Sequence, residues 1–163
     1  MKNTAKLDRI DINILNEIQK NARISNRELA DIVNLSPSAC LQRVRRLEHE
    51  QILGTYLAQL NLPLVCRHLV CIAAVSMKNH SQADFLEFEN LINEIPEVIE
   101  CLTVSGEFDF FLRIICPDMN RYVEINDEIV SATDHAINVS THVVMKQNKT
   151  LSPIDISRLV GTD

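Results

Sequence analysis

The 163-residue chain is poor in aromatic and glycine residues. It has no tryptophan, aromatic residues make up 4% of it, and it contains only three glycines. So few aromatic side chains argue against a protein that stacks single-stranded bases on aromatic rings. The glycines form no phosphate-binding motif, and no nucleophile is paired with a base. We therefore expect a protein without enzymatic activity, and an enzyme or stand-alone metabolic sensor remains the alternative from another class.

Long hydrophobic runs are absent as well. No apolar stretch approaches the length of a membrane span, and the N-terminal sequence MKNTAKLDRIDI lacks the hydrophobic core of a signal peptide. Hydrophobic residues nevertheless make up 46% of the chain, enough for one large or two small globular domains. The expected location is the cytoplasm.

The five cysteines form no CxxC pair and are odd in number, which argues against a disulfide framework and against a zinc site. Three lie in apolar patterns and are expected to be buried as small hydrophobic residues: Cys40, Cys101 and Cys116. Cys66, His68 and Cys71 form the cluster that could bind a metal or respond to oxidation. Neither their spacing nor their surroundings complete a ligand set, so no metal is expected.

A net positive charge, common in DNA-binding proteins, is also missing, since the formal charge is −6. The charge is unevenly distributed. Residues 1–60 carry nine basic and seven acidic residues, a balance of +2, whereas residues 61–163 carry seven basic and fifteen acidic residues, a balance of −8. A nucleic-acid contact is therefore expected in the first segment only. Because this segment is weakly basic, affinity is expected to come from pairing such modules in a dimer or larger assembly.

Residues 24–53 carry two helix signals separated by a short polar turn. Ser25 and Glu28 have the spacing of a capping box, so a helix is predicted to begin there. Ser36 is an N-cap residue type, and Pro37 occupies the first position of a second helix, where its missing amide proton costs nothing. The layout is that of a helix-turn-helix DNA reader.

Helical spacing divides the second predicted helix into two faces, and Gly54 is predicted to end it. The packing face is predicted to contain Cys40, Leu41, Val44 and Leu47. On the other face, small residues permit a close approach to a groove and arginines suit phosphates or guanines. The predicted DNA contacts are Ser36, Ser38, Ala39, Gln42, Arg43, Arg45 and Arg46. The alternative is a solvated helix face without a ligand.

The second half of the chain alternates strand and helix patterns. Residues 55–62 are predicted to form an extended linker strand. The later elements are predicted as strand 69–77, helix 83–95, strands 98–104 and 108–116, helix 119–132 and strand 137–145. The order β-α-β-β-α-β is the ferredoxin-like, split βαβ arrangement.

The hairpin between the second and third predicted strands has features of a binding loop. Gly106 permits a backbone conformation that leaves amides available for a carboxylate. Glu107 or Asp109 could bind an α-ammonium group, so the loop could hold an amino-acid zwitterion. The alternative is an ordinary turn glycine flanked by solubilising acids.

Four segments carry a more specific pattern, in order along the chain: LDRIDINIL at residues 7–15, RISNRELA at 23–30, LSPSACLQRVRRLE at 35–48 and VSGEFDFFLRIICPDM at 104–119. Together they resemble the signature blocks of the Lrp/AsnC, or feast/famine, transcription regulators of bacteria and archaea. The likeness extends from Leu7 to the region of Met145. It implies a sequence-specific transcriptional regulator that binds an amino acid between dimers.

The resemblance also implies a fold and its boundaries. The fold is α+β, with a winged or plain helix-turn-helix domain at residues 1–54 and a linker strand at 55–66. A ferredoxin-like βαββαβ domain of the RAM type, with a C-terminal tail, occupies residues 67–163. The effector site carries over to two segments: Ser105, Gly106, Glu107, Phe108 and Asp109, and Thr141, His142, Val143 and Val144.

The chain departs from the family at residues 133–136, where TDHA replaces a turn of the Leu-Pro-Gly-Val type. The loss of proline and glycine is expected to reshape this connection. His135 and His142 add titratable groups near the predicted effector site, although a histidine at position 135 taken alone reads as a surface residue without a role. A ligand other than leucine is compatible with this change.

The implied partners are double-stranded DNA and an amino acid, and no cofactor beyond this suspected effector is expected. A homodimer would present two recognition helices to a pseudo-palindromic site, with half-sites about one helical turn or a multiple of it apart. Dimers are expected to assemble into a higher oligomer such as an octamer. A nucleoid-associated architectural protein, which would use the same helix without strict sequence choice, is the alternative.

Overall fold

The computed structural model describes residues 6–133 and 136–160, which divide into two compact units. The first unit comprises residues 6–59 together with the tail from residue 149 to residue 160. The second unit comprises the described residues between 60 and 148. This α+β organisation is the one predicted, apart from the position of the tail.

The first unit is helical. Its elements are α1 (Arg9–Lys20), α2 (Asn26–Ile32), α3 (Pro37–His49) and, in the tail, α7 (Ile156–Val160). The predicted capping box is present on α2, where the Glu28 amide donates to the Ser25 hydroxyl at 3.2 Å. On α3, the Ser36 hydroxyl accepts from the Ala39 amide at 3.3 Å. The two helix starts read from the sequence are therefore confirmed.

One apolar cluster holds these helices together. Its fully covered members include Ile14 on α1, Ala30 on α2, and Cys40 and Leu47 on α3. Partly buried residues from the loops and the tail complete it: Leu7, Ile10, Ile24, Leu35, Val44, Ile52, Leu53 and Ile156. Burial of this cluster is the main source of stability for such short helices.

The ends of α2 and α3 are closed by Schellman motifs. After α3, Gln51 adopts a left-handed φ of 56° and the Ile52 amide donates to the Leu47 carbonyl at 2.9 Å. Asn34 plays the same part after α2, with φ 57°. The prediction that Gly54 ends α3 is wrong, because the helix stops at His49 and Gln51 takes the left-handed position.

The second unit is a four-stranded antiparallel sheet with two long helices on one face. Its elements are α4 (Leu62–Val65), β1 (Leu69–Met77), α5 (Gln82–Asn93), β2 (Val98–Thr103), β3 (Phe110–Cys116), α6 (Met119–Ala132) and β4 (Ile137–Val143). The strand order is β2-β3-β1-β4. The predicted ferredoxin-like arrangement is confirmed.

Alternation along the strands separates the core face from the opposite face. On β3, every second residue from Phe110 to Cys116 is buried. The core between sheet and helices contains Phe88 and Ile92 from α5 and Ile125 from α6.

The predicted linker strand over residues 55–62 is wrong. Residues 55–61 form no strand, and the segment ends in the short helix α4. A strand is stabilised by pairing with a neighbour, and within the described residues the segment has no such neighbour. Its apolar side chains are exposed, Leu57 at 85% and Leu60 at 67%.

The C-terminal tail belongs to the first unit, whereas it is predicted from the sequence as part of the second domain. The Gln19 side-chain amide donates to the Ile154 carbonyl at 3.2 Å, and its oxygen accepts from the Ile154 amide at 3.0 Å. Asn16 accepts from the Ile156 amide at 3.3 Å, and Ile156 packs against the first core. These contacts attach residues 149–160 to α1.

The structure also shows the environment of the cysteines. Cys40 and Cys116 are buried as predicted, whereas Cys101 is exposed because it lies on the edge strand β2. Cys71 is buried in the second core and Cys66 is exposed, so they do not converge with His68 on one site. His135 lies outside the described residues. Over the described ranges, no helix is long and apolar enough to cross a membrane.

Candidate nucleic-acid interface and effector site

The solvent face of α3 carries the side chains predicted to contact DNA. Ser38, Gln42 and Arg45 are exposed on it. In the part of the chain that the structure describes, Arg45 makes no ion pair. Ser36 is exposed at the helix start, where its hydroxyl lies 3.2 Å from that of Ser38, and Ala39 is half-buried.

Arg43 and Arg46 are engaged by carboxylates of the first unit. Arg43 Nη1 lies 2.6 Å from Asp8 Oδ2 and 2.8 Å from Asp11 Oδ1, and Arg46 Nη2 lies 2.6 Å from Asp11 Oδ2. We call these four residues the carboxylate clamp. It ties α3 to the start of α1, some 35 residues earlier.

Asp11 is the centre of the clamp. Its side chain is 1% exposed, and both of its oxygens are occupied by arginines. The two helix-start residues also cap each other, because the Asp11 amide donates to Asp8 Oδ1 at 2.8 Å and the Asp8 amide donates to Asp11 Oδ2 at 3.1 Å. A buried carboxylate is tolerated only when it is paired and hydrogen-bonded in this way.

The clamp shifts the ionisation of its members. The hydrogen bond from the Asp11 amide, and next that from Arg43, hold the pKa of Asp8 below its usual value. The bonds to Asp8 and Asp11 raise the pKa of Arg43. Sequence reasoning missed both aspartates as partners of α3. The D-x-x-D spacing in LDRIDINIL does signal a capping box, but it does not reveal the arginines.

Leu41 was predicted on the packing face of α3 and is not there. It is 38% exposed and stands among the polar residues of the solvent face. Cys40 and Leu47, by contrast, are fully buried as predicted. The turn is further held by Asn26, whose amide donates to the Pro37 carbonyl at 2.8 Å.

The predicted effector loop follows β2. Gly106 has φ 128°, a conformation that favours glycine, and it is exposed together with Ser105 and Glu107. Phe108 is half-buried, with its ring centroid 5.8 Å from that of Phe111. The predicted positive-φ glycine is confirmed.

Asp109 is already bound within the unit. Its Oδ2 accepts from the Met77 amide at 2.7 Å, and its Oδ1 lies 3.3 Å from His80 Nε2. Its own amide donates to the Val75 carbonyl at 2.8 Å. The carboxylate of Asp109 therefore anchors the loop to β1, whereas that of Glu107 is exposed.

The second predicted effector segment lies at the other side of β1. Thr141 faces the core, where its hydroxyl is hydrogen-bonded to that of Tyr122. His142 pairs with Ile72, and Val143 with Cys71. His142 projects from the sheet face opposite Thr141 and Val143. Val144 follows the strand, and its amide donates to the Val70 carbonyl at 2.9 Å.

Within one chain these two segments do not meet. The loop contacts β1 at Ser76, where the serine hydroxyl donates to the Glu107 carbonyl at 3.3 Å. His142 lies beside Ile72, on the opposite edge of β1 and four residues along it, which is roughly 13 Å. Asp134 and His135 of the altered turn lie outside the described residues.

A separate cavity of about 240 Å³ lies between α5 and the end of α6. It is lined by Met77, Asn79, Asp84, Glu87, Phe88, Ala132, Thr133 and Ala136. Among the described residues, this lining contains two carboxylates and no basic side chain, so it does not match the carboxylate group of an amino acid.

Each unit resembles a known domain. Residues 7–53 match the family model described as winged helix-turn-helix DNA-binding, and residues 70–154 match the Lrp/AsnC ligand binding domain. In the described residues of the first unit there is no strand, so the helix-turn-helix is seen without a β-wing.

Similar proteins cover nearly the whole chain. The leucine-responsive regulatory protein of Escherichia coli K12 is 39% identical over 143 residues, which are 88% of this chain and 87% of that protein. A Neisseria meningitidis transcriptional regulator, solved as an L-Met complex, has a TM-score of 0.83 at 31% identity and covers 94% of this chain and 99% of that one. LrpC of B. subtilis has a TM-score of 0.71 at 28% identity, covering 90% and 100%. The chain therefore belongs to the Lrp/AsnC family of transcriptional regulators.

Proposed function

We propose that this chain is a sequence-specific transcriptional regulator that reads double-stranded DNA with the solvent face of α3. The observation that carries the proposal is the exposure of Ser38, Gln42 and Arg45 on one face of a helix whose opposite face is fixed in a core. A major groove admits an α-helix, and these side chains can donate to base edges or phosphates.

The predicted contact residues take different parts in this proposal. Ser38, Gln42 and Arg45 point to base edges, and Ser36 and Ala39 allow the helix start to approach the backbone. Arg46 keeps an exposed fraction of 43% and can reach a phosphate while bound to Asp11. Arg43 would have to leave two carboxylates, so we assign it to holding α3 in place.

A dimer would supply the second recognition helix. One module with a balance of +2 binds DNA weakly, and two linked modules bind much more tightly at a two-fold site. We propose a homodimer that assembles further, as in an octamer, and that acts in the cytoplasm.

The test is binding to DNA selected from a random duplex library by the full chain. Arg45→Ala should weaken binding to the selected duplex by roughly tenfold or more and relax the preference for the base pair that Arg45 contacts. The control is Arg158→Ala, which removes an equal charge from the tail helix α7. Discrete footprints would support the regulator, and diffuse salt-sensitive coverage would favour DNA compaction instead.

We further propose that an amino acid modulates the regulator. The loop of Ser105, Gly106, Glu107, Phe108 and Asp109 would supply backbone amides and a carboxylate, and residues 141–144 would come from another copy. The separation of these segments within one chain favours a site shared between dimers. The L-Met complex of the Neisseria regulator supports this class of ligand.

Thermal shift against the common amino acids tests the effector. A ligand that binds only the folded state raises the melting temperature as it saturates the site. Because Glu107 is exposed and Asp109 is engaged, Glu107→Gln should abolish the shift while keeping the melting temperature of the unliganded protein. Asp109→Asn should instead lower that melting temperature. No shift with any amino acid at millimolar concentration would reject this ligand class.

A further inference from the structure

An exposed leucine lies at the border of the polar face of α3, beside Arg45. Leu41 is 38% exposed, whereas Cys40 and Leu47 of the same helix are fully covered and Val44 is partly buried against the core. Ser38 lies three residues before it and Arg45 four residues after it, so all three share one face of the helix. Leu41 is absent from the residues that pack against the core of the first unit.

The orientation of Leu41 is fixed by the rest of the unit. The carboxylate clamp holds one flank of α3 through Arg43 and Arg46. The Schellman motif at Gln51 closes the C-terminal end of the helix. A rotation that buried Leu41 would break the ion pairs to Asp11, so the leucine side chain stays at the surface that the proposed function assigns to DNA.

The major groove offers one apolar group for such a side chain. Among the base edges, only thymine presents a methyl group there, and apolar side chains contact it. Phosphates and the other base edges are polar and give a leucine no partner. Gln42, the next residue, carries an amide of the kind that binds adenine through two hydrogen bonds.

We propose that Leu41 is a specificity-determining residue that reads thymine through its 5-methyl group. The inference rests on the proposed function, because it requires α3 to lie in the major groove. The inference adds to the proposed function the identity of one base in each half-site. Ser38 and Arg45 alone do not define that base. Covering the methyl group removes about one methyl-sized apolar surface from water, worth about a fourfold change in affinity.

Replacement of thymine by uracil tests this reading, since it removes the methyl group and keeps the base pair. Each thymine of the selected duplex is replaced in turn, and affinity is measured at one fixed salt concentration. The full chain should lose about fourfold at one thymine in each half-site. Leu41→Ala should bind the thymine and uracil forms of that site equally well, and alanine keeps the helix intact.

The control is Leu57→Ala, which removes an exposed leucine of the same unit outside α3 and should keep the full preference for thymine. Loss of the methyl effect in that variant, its persistence in Leu41→Ala, or the absence of any methyl-sensitive thymine would overturn the role of Leu41 while leaving DNA recognition by α3 in place. Failure of the full chain to select any sequence would reject the proposed function and the Leu41 reading together.

Discussion

Asp11 is a fully covered carboxylate whose charge is balanced by two arginines of the recognition helix. Each arginine remains partly exposed, so neither pays the full cost of leaving water. The ion pairs of Arg43 and Arg46 with Asp11 hold α3 against α1 and leave the Arg46 guanidinium partly exposed to solvent. An acidic residue thus shapes a surface that is proposed to bind an anion.

Replacing Asp11 should destabilise the first unit. In Asp11→Asn the arginines lose a charged partner, and we expect the free energy of unfolding in urea to fall by about 2 kcal/mol. The control is Glu17→Gln on the same helix. That change removes the surface pair with Lys20, whose side chain is 60% exposed, and should cost less than about 0.5 kcal/mol. Equal losses in the two variants would contradict the role of the clamp.

Acid should weaken the first unit through Asp8. Its pKa is lower in the folded state than in the unfolded chain, so its contribution to stability is complete above the unfolded pKa of about 4. That contribution is lost as the pH falls through the folded-state pKa, so the free energy of unfolding should decrease below about pH 4.

Asp8→Asn isolates this effect, because asparagine is an equally good N-cap and has no carboxylate to titrate. Unfolding free energies measured between about pH 5 and pH 3 should fall less steeply in the variant than in the parent chain. Parallel curves would rule out Asp8 as a source of the acid sensitivity.

The sequence did not predict which side chains bind the arginines of α3. The positions of Cys40 and Leu47 follow from helical spacing and are confirmed. Leu41 was predicted on the packing face because it is apolar. It lies about 100° from Cys40 around the helix, nearer to Arg45, and is exposed. The aspartates that bind Arg43 come from another helix, and no local pattern on α3 reveals them.

At the scale of elements, the ends of helices depend on left-handed residues that are not glycine. Gln51 takes this conformation after α3, and Asn34 takes it after α2. Asparagine tolerates a positive φ through local hydrogen bonds, whereas glutamine is destabilised by the full steric clash of its Cβ. The Schellman hydrogen bonds and the packing of Ile52 offset that cost.

Gln51→Gly should therefore stabilise the first unit by roughly 0.5–1 kcal/mol in urea unfolding, because glycine adopts φ 56° without strain. The adjacent change Glu50→Gly is the control. Glu50 has φ −78°, so glycine gains nothing there and should reduce stability through its greater freedom in the unfolded chain. Changes of the same sign at both positions would contradict this account.

Strands of the second unit were more predictable than the linker. Alternation on β3 places its apolar residues on one face, and the structure confirms it from Phe110 to Cys116. Residues 55–61 also contain several apolar side chains but have no pairing partner in the described part of the chain. Residue pattern alone does not distinguish a strand from an extended segment, because pairing depends on distant residues.

At the scale of the whole molecule, one face of the sheet is not covered by the helices of its own unit. Leu102 on β2 is 49% exposed on this face, and Phe111 beside it on β3 is half-buried. Glu100 and Arg113 pair on the same face at 3.9 Å. Such a mixed apolar surface suits contact with a second copy.

Leu102→Asp should disrupt the proposed dimer. A charge placed in an apolar contact is costly to bury, so sedimentation at micromolar concentration should show a smaller species. DNA affinity should fall about a hundredfold or more, because two linked recognition helices are reduced to one. Leu86→Asp on the outer face of α5, 52% exposed, is the control and should keep both properties. An unchanged oligomer in Leu102→Asp would exclude this face as the contact.

The docked tail also determines how the chain can be divided. Residues 149–160 return to the first unit, so the second unit is an insertion within it, and two covalent connections join the two units rather than one. A fragment that stops at residue 59 would lose Ile156 from its core and the partners of Asn16 and Gln19 on α1. An isolated DNA-binding unit that keeps this core complete would need both segments of the chain, with residue 59 joined to residue 149 by a linker.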